Sequence, residues 1–138
     1  MVDLNILRID LDAPTRTRAI NIMKQRLSYF HDLGFYNYGN IKNIILIKKR
    51  TYAVKIILTS NLKEYNSVIL FESLLGSDFR KQVNSLINFH ILEMKIYPNR
   101  LFTIKRYTDG SYLVAEEEDV TKEIISYIYN VKRKKWKN

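Results

Sequence analysis

The chain has 138 residues, with 23 Lys and Arg against 14 Asp and Glu for a formal net charge of +9, two histidines and no cysteine. The missing thiols exclude a disulfide framework, a zinc ribbon, an iron–sulfur centre and thiol catalysis, and ordinary shares of hydrophobic (46%) and charged (27%) residues exclude a disordered, low-complexity chain. No stretch approaches the about 18 uninterrupted apolar residues of a membrane span, and Asp3 stands where a signal region would be basic, so a cytoplasmic protein with no membrane partner is expected.

Residues 4–12 read as a strand, Leu7, Ile9 and Leu11 pointing one way and Arg8, Asp10 and Asp12 the other. Residues 14–33 read as an amphipathic helix with Ala19, Ile20, Met23, Leu27, Phe30 and Leu33 at helical spacing, Pro14 in its first turn and Gly34 closing it. Two strand-like runs follow, 43–48 and 51–59, joined by the turn Lys48-Lys49-Arg50. Helices are expected at 66–75 and 78–92, separated at "GSD", with Ser77 or Asp78 as N-cap of the second.

Strands return at 94–97, 100–107 and 111–115, the last two linked through Asp109-Gly110. The acidic run "EEED" (116–119) then precedes a helix over Thr121–Val131, where negative charge suits the helix N-terminus. The order β-α-β-β-α-α-β-β-β-α is that of an α+β protein, a mostly antiparallel sheet with helices packed on one face. One domain over 1–131 and a basic C-terminal tail over 132–138 are expected, long enough to bury roughly two thirds of the surface the unfolded chain exposes.

Asp10 and Asp12, two apart on one strand, would project from the same sheet face about 7 Å apart. Carboxylates so placed can hold Mg²⁺ or Mn²⁺, the arrangement that metal-assisted phosphoryl transfer needs. The alternative is structural: Asp12 caps the helix that enters at Pro14, and Asp10 pairs with Arg8 or Lys55.

In the same order along the chain, "IDLDAP", "YFHDLGF", "TYAVKIIL", "LLGSDFRKQVNSL" and "NRLFTIKR" together resemble the archaeo-eukaryotic primase family, most closely the primase-polymerase domains of plasmids and viruses. The resemblance implies a primase-like, RRM-like core in which Asp10 and Asp12 match the family's paired metal-binding aspartates, and Lys105 a lysine after an apolar strand. It departs at two motifs. Ala53 occupies the place of a phosphate-contacting histidine, and Asn84 or Ser85 that of a third metal-binding carboxylate. Each such loss removes several kcal/mol of transition-state stabilisation, which implies a degenerate, non-catalytic scaffold needing no cofactor.

So large a positive charge on so short a chain favours a polyanionic partner, DNA before RNA. Lys132, Arg133, Lys134, Lys135 and Lys137 crowd the terminus around Trp136, a composition suited to lying along a phosphate backbone with the indole stacked on a base; a solvated end that offsets the helix dipole is the plainer alternative. Lys48, Lys49 and Arg50 form a second cluster, and Arg16 and Arg18 stand beside the aspartates, where they could hold phosphate; Arg8 and Lys55 share their sheet face. Tyr36, Tyr38 and Tyr52 are further stacking candidates, whereas His31 and His90 read as structural.

Three readings follow. The first is a replication-associated protein binding single-stranded DNA or a template. The second is a minimal Mg²⁺- or Mn²⁺-dependent primase, polymerase or nuclease using Asp10 and Asp12 with Asp78 or Glu72 as third acid. The third is an accessory subunit that binds viral or replisome proteins.

Overall fold

Period-two alternation sorts the first strand into a core set and a solvent set, and the other central strands follow it. The computed structural model describes residues 4–32, 40–90, 104–106 and 112–136. In chain order these form β1 (Ile6–Ala13), α1 (Arg16–Asp32), β2 (Ile41–Lys48), β3 (Tyr52–Leu58), α2 (Tyr65–Leu74), α3 (Phe79–His90), β4 (Ile104–Arg106), β5 (Tyr112–Val114), β6 (Glu116–Asp119) and α4 (Thr121–Trp136). The expected strand at 94–97, the Asp109-Gly110 turn, Gly34, Tyr36 and Tyr38 lie outside the described residues.

The architecture is α+β. A four-stranded sheet has the order β1-β3-β2-β6 with every neighbour antiparallel, and β4 pairs with β5 in a separate two-stranded ladder. β1 and β2 therefore run parallel on either side of β3, joined by α1, which is a split β-α-β unit. Leu7 and Ile9, Val54 and Ile56, and Ile44 and Leu46 turn to one face. There they bury against Met23 and Leu27 of α1 and Ile124 and Ile128 of α4 in a single cluster, each such side chain stabilising by roughly 1.5–3 kcal/mol relative to exposure.

α1 starts two residues later than the Pro14 reading. Thr15 is its cap, accepting from the Arg18 N–H at 3.2 Å through Oγ1 and from the Ala19 N–H at 3.1 Å through its carbonyl. The acidic run expected only to precede the last helix is itself a strand, β6, on the free edge of β2. α4 runs on to Trp136, so the basic segment expected as a tail from residue 132 continues the helix through residue 136; Lys and Arg are good helix formers, and cations suit a helix C-terminus.

In an RRM-like core another strand would flank β1 on the side away from β3. Here the α2–α3 hairpin fills that place with side chains. Arg8 and Asp10 direct their backbone groups outward, and such groups are costly when buried without partners. The Arg8 N–H donates to Glu72 Oε2 at 2.6 Å, and the Arg8 carbonyl accepts from the Lys81 ammonium. The Asp10 N–H donates to Ser77 Oγ at 3.0 Å, and its carbonyl accepts from the Asp78 N–H at 2.6 Å.

The turn that delivers these groups is local. Gly76 has φ +102, the left-handed conformation that glycine adopts without a Cβ clash. The Ser77 N–H reaches the Glu72 carbonyl at 3.0 Å and the Gly76 N–H that of Ser73 at 3.1 Å, a Schellman closure of α2. Asp78 then caps α3, its Oδ1 accepting from the Arg80 N–H at 3.1 Å.

Glu72 is fully buried. Its Oε1 accepts from Lys81 Nζ at 3.1 Å and Gln82 Nε2 at 3.2 Å. Burial draws the Lys81 ammonium below its ordinary pKa, with Glu72 opposing that shift, and burial followed by the Glu72 charge pushes the Tyr65 hydroxyl up. Replacing Glu72 by Leu should cost about 3–5 kcal/mol in urea unfolding, because it strands a buried cation and an amide. The double variant Glu72→Leu with Lys81→Met should recover part of that loss; equal costs for the single and double variants would show that the pair does not act as a unit.

Candidate nucleic-acid interface

Strand geometry alone would line up Asp10 and Asp12, but the chain bulges between them. Pairing with β3 is regular to Asp10↔Ala53 and resumes only at Ala13↔Tyr52, and Asp12 has φ 51. That left-handed residue interrupts the ladder, leaving Leu11 and Asp12 without partners on β3; Asp12 is exposed and Asp10 half-buried. Asp10 Oδ1 accepts from the Asp12 N–H at 3.2 Å, a local turn of the kind aspartate favours, and Oδ2 lies 3.5 Å from Lys49 Nζ. Asp10 thus pairs with Lys49 rather than Arg8 or Lys55, and Thr15, not Asp12, caps α1.

The candidate third acids are otherwise engaged. Glu72 holds the α2–α3 hairpin to β1, and the Asp78 carboxylate caps α3. Ser85 is buried, its hydroxyl donating to the Lys81 carbonyl at 3.0 Å, and Asn84 is exposed. Among the described residues no three His, Cys, Asp or Glu side chains gather where they could hold a metal ion. Ala53, which the primase resemblance would align with a phosphate-contacting histidine, is fully buried and directly opposite Asp10.

The cations divide into tied and exposed sets. Arg16 makes a two-pronged contact with Glu118 at 3.0 and 2.7 Å and reaches Glu123 at 2.8 Å. Those hydrogen bonds hold Arg16 firmly charged and draw the Glu118 carboxyl below its ordinary range, while hydrogen bonds from Thr121 do the same to Asp119. Lys55 stands 4.0 Å from Glu117 and directly opposite Arg8 across the β1–β3 ladder, a spacing of about 5 Å at which like charges repel. The Lys24 ammonium sits 5.0 Å over the Tyr127 ring, and Arg26 donates to the Leu74 carbonyl at 3.2 Å.

Arg18, Lys48 and Arg50 are exposed and have no ion pair among the described residues. Lys105 lies in β4 opposite Leu113, away from the Asp10 strand in the hydrogen-bonded order. Lys132, Arg133, Lys134, Lys135 and Trp136 lie on the last turns of α4, and Lys137 is outside the described residues.

Sequence reasoning did not anticipate the structural use of Lys81 or the acidic strand. A signal for the first was present: Glu72 falls between Val68 and Leu75 on the apolar face of "VILFESLL", where a carboxylate needs a buried partner. No described helix is long and apolar enough to cross a membrane. Comparison with known proteins finds no family model, curated protein or solved structure that matches the chain.

If Asp12 serves the backbone turn, Asp12→Gly should hold stability and Asp12→Val should lose about 1–2 kcal/mol by thermal or urea unfolding, since a β-branched residue resists positive φ; the reverse order would contradict that role. The acidic edge has a pH signature as well. Glu118 and Asp119, with folded pKa values below their unfolded ones, stabilise above the ordinary carboxylate range, and that stability disappears as pH falls through the folded values. Denaturation between pH 5 and 3 should therefore be shallower for Arg16→Gln than for the parent chain, and parallel curves would remove Arg16 as the cause.

Proposed function

We propose that this chain is a nucleic-acid-binding protein, taking single-stranded DNA in preference to RNA, with a non-catalytic role in replication and a place in the cytoplasm. The observation that carries this reading is the run of four cations, Lys132 to Lys135, set on the last turns of a 16-residue helix in a chain of net charge +9. Helical continuity orders the backbone that carries them, which lowers the ordering cost of engaging phosphates. The exposed Arg18, Lys48 and Arg50 add positive charge on α1 and at the β2–β3 turn. The replication context rests on the likeness of the "IDLDAP" and "TYAVKIIL" segments to primase motifs.

Several contacts weigh against an Mg²⁺- or Mn²⁺-dependent enzyme at Asp10 and Asp12. Asp10 spends one oxygen on the Asp12 amide and the other on Lys49, the ladder with β3 is interrupted between Asp10 and Ala13, and Ala53 stands opposite Asp10. Primed template, labelled nucleotides and Mn²⁺ should yield no extension; product that disappears in Asp10→Ala would instead establish the enzyme.

Fluorescence polarisation with labelled oligonucleotides over a salt series tests the binding. Affinity should fall steeply with salt. Changing Lys132, Arg133, Lys134 and Lys135 together to Gln, which preserves helix propensity, should lower the slope of log K against log salt by roughly 2–3, at ~0.7 per single-strand phosphate contact. An unchanged slope would dismiss the helix end as the binding element, and salt-independent binding would dismiss the nucleic-acid reading altogether.

A further inference from the structure

Over residues 79–87 the helix α3 is folded inside out. Its buried positions there are polar: Gln82 and Ser85 are nearly inaccessible, and Lys81 is sunk against Glu72 and the β1 backbone. Its apolar stripe, Phe79, Leu86 and Ile87, points outward with relative exposures of 79%, 37% and 37%. The inversion has a partial cause. β1 needs hydrogen-bonding groups from this hairpin, so the polar side faces in. Nothing in that requirement calls for Phe79 to stand in water, and large exposed apolar patches mark interaction sites.

α2 continues the patch. The seam between the two helices is made by Tyr65, whose hydroxyl donates to the Ser85 carbonyl at 3.3 Å, and by Gln82, whose amide reaches the Ile69 carbonyl at 3.0 Å and Ser73 Oγ at 3.2 Å. Leu70 and Leu74, each one residue beyond a seam position, are 57% and 45% exposed. Both helices thus flank their seam with outward apolar side chains, Leu70 and Leu74 one turn apart on α2 and Phe79 and Leu86 two turns apart on α3.

The charge at the border is positive. Arg26 is exposed with its guanidinium at the Leu74 carbonyl, and Arg80 is exposed beside Phe79 without an ion pair among the described residues. The acids within the hairpin are turned elsewhere, Glu72 into the buried pair and Asp78 onto the start of α3. We propose that the outer face of the α2–α3 hairpin, Leu70, Leu74, Phe79 and Leu86 bordered by Arg26 and Arg80, docks an acidic amphipathic helix of a partner protein. Three of the four apolar side chains, Leu70, Leu74 and Leu86, are aliphatic, which favours such a helix over stacked bases. The inference stands independently of the nucleic-acid reading.

The test is selection from a displayed library of random 16-residue peptides on the full chain, counter-selected on the variant Leu70→Ser with Phe79→Ser, whose exposed positions leave the core intact; circular dichroism confirms its fold. Enriched peptides should combine Leu or Phe at i and i+4 with a net negative charge, and should lose about tenfold or more in affinity on the variant. Enrichment of neutral or basic peptides, or of peptides indifferent to the variant, would overturn the proposal. So would concentration-dependent dimerisation abolished by the variant, which would give the face to a second copy. Loss of oligonucleotide binding in the variant would give it to nucleic acid and likewise overturn it.

Discussion

The outward backbone groups of β1 impose the demand that organises one whole side of this protein. A central strand would meet them with a neighbour's amides and carbonyls. Here a carboxylate, an ammonium, a hydroxyl and one amide do so instead, from Glu72, Lys81, Ser77 and Asp78. A buried ion pair is weak as a source of stability because desolvation offsets its attraction. Its use here is complementarity: an acid for the Arg8 N–H and a base for the Arg8 carbonyl, delivered nine residues apart by a tight turn at Gly76. Lys81 and Gln82 face inward for that reason, and Phe79, Leu86 and Ile87 of α3 are left outside.

The same demand occupies two acids that could otherwise stand as a third ligand beside the aspartate pair. Glu72 and Asp78, the third acids the sequence offered, are spent on edge and cap, and the β1–β3 ladder is interrupted at Asp12, which has φ 51. The conformation of Asp12 and the contacts of Asp10 fit a turn better than a ligand set. The cations show a comparable division: Arg16 and Lys55 face the acids of β6, and exposed Arg18, Lys48 and Arg50 lie on α1 and at the β2–β3 tip.

Much of the scaffold was legible in the order of residues. Leu7 and Ile9, Val54 and Ile56, and the heptad-like series from Ala19 to Phe30 carry their periods openly, so β1, β3 and α1 follow from burial on one face. Asp78 as the cap of α3 was legible for the same kind of local reason. β6 was not, because "EEED" has no intrinsic liking for a strand; it pairs because β2 offers an edge and because Arg16 and Lys55, far away in sequence, bring positive charge to it. The roles of Glu72 and Lys81 were hidden by similar distance, since Glu72 answers a backbone group 64 positions earlier. Asp12 misled because alternation assumes an unbroken strand.

The strand formed by Glu116 to Asp119 has one further consequence. It is the outermost member of its sheet, and all four of its side chains are exposed acids. A bare margin of this kind invites copies to zip together, and a row of like charges is a common deterrent. The sheet is therefore guarded at both borders by unlike means, an upholstered side and an electrified one, and a chain rich in isoleucine and tyrosine can be crowded without growing into ribbons.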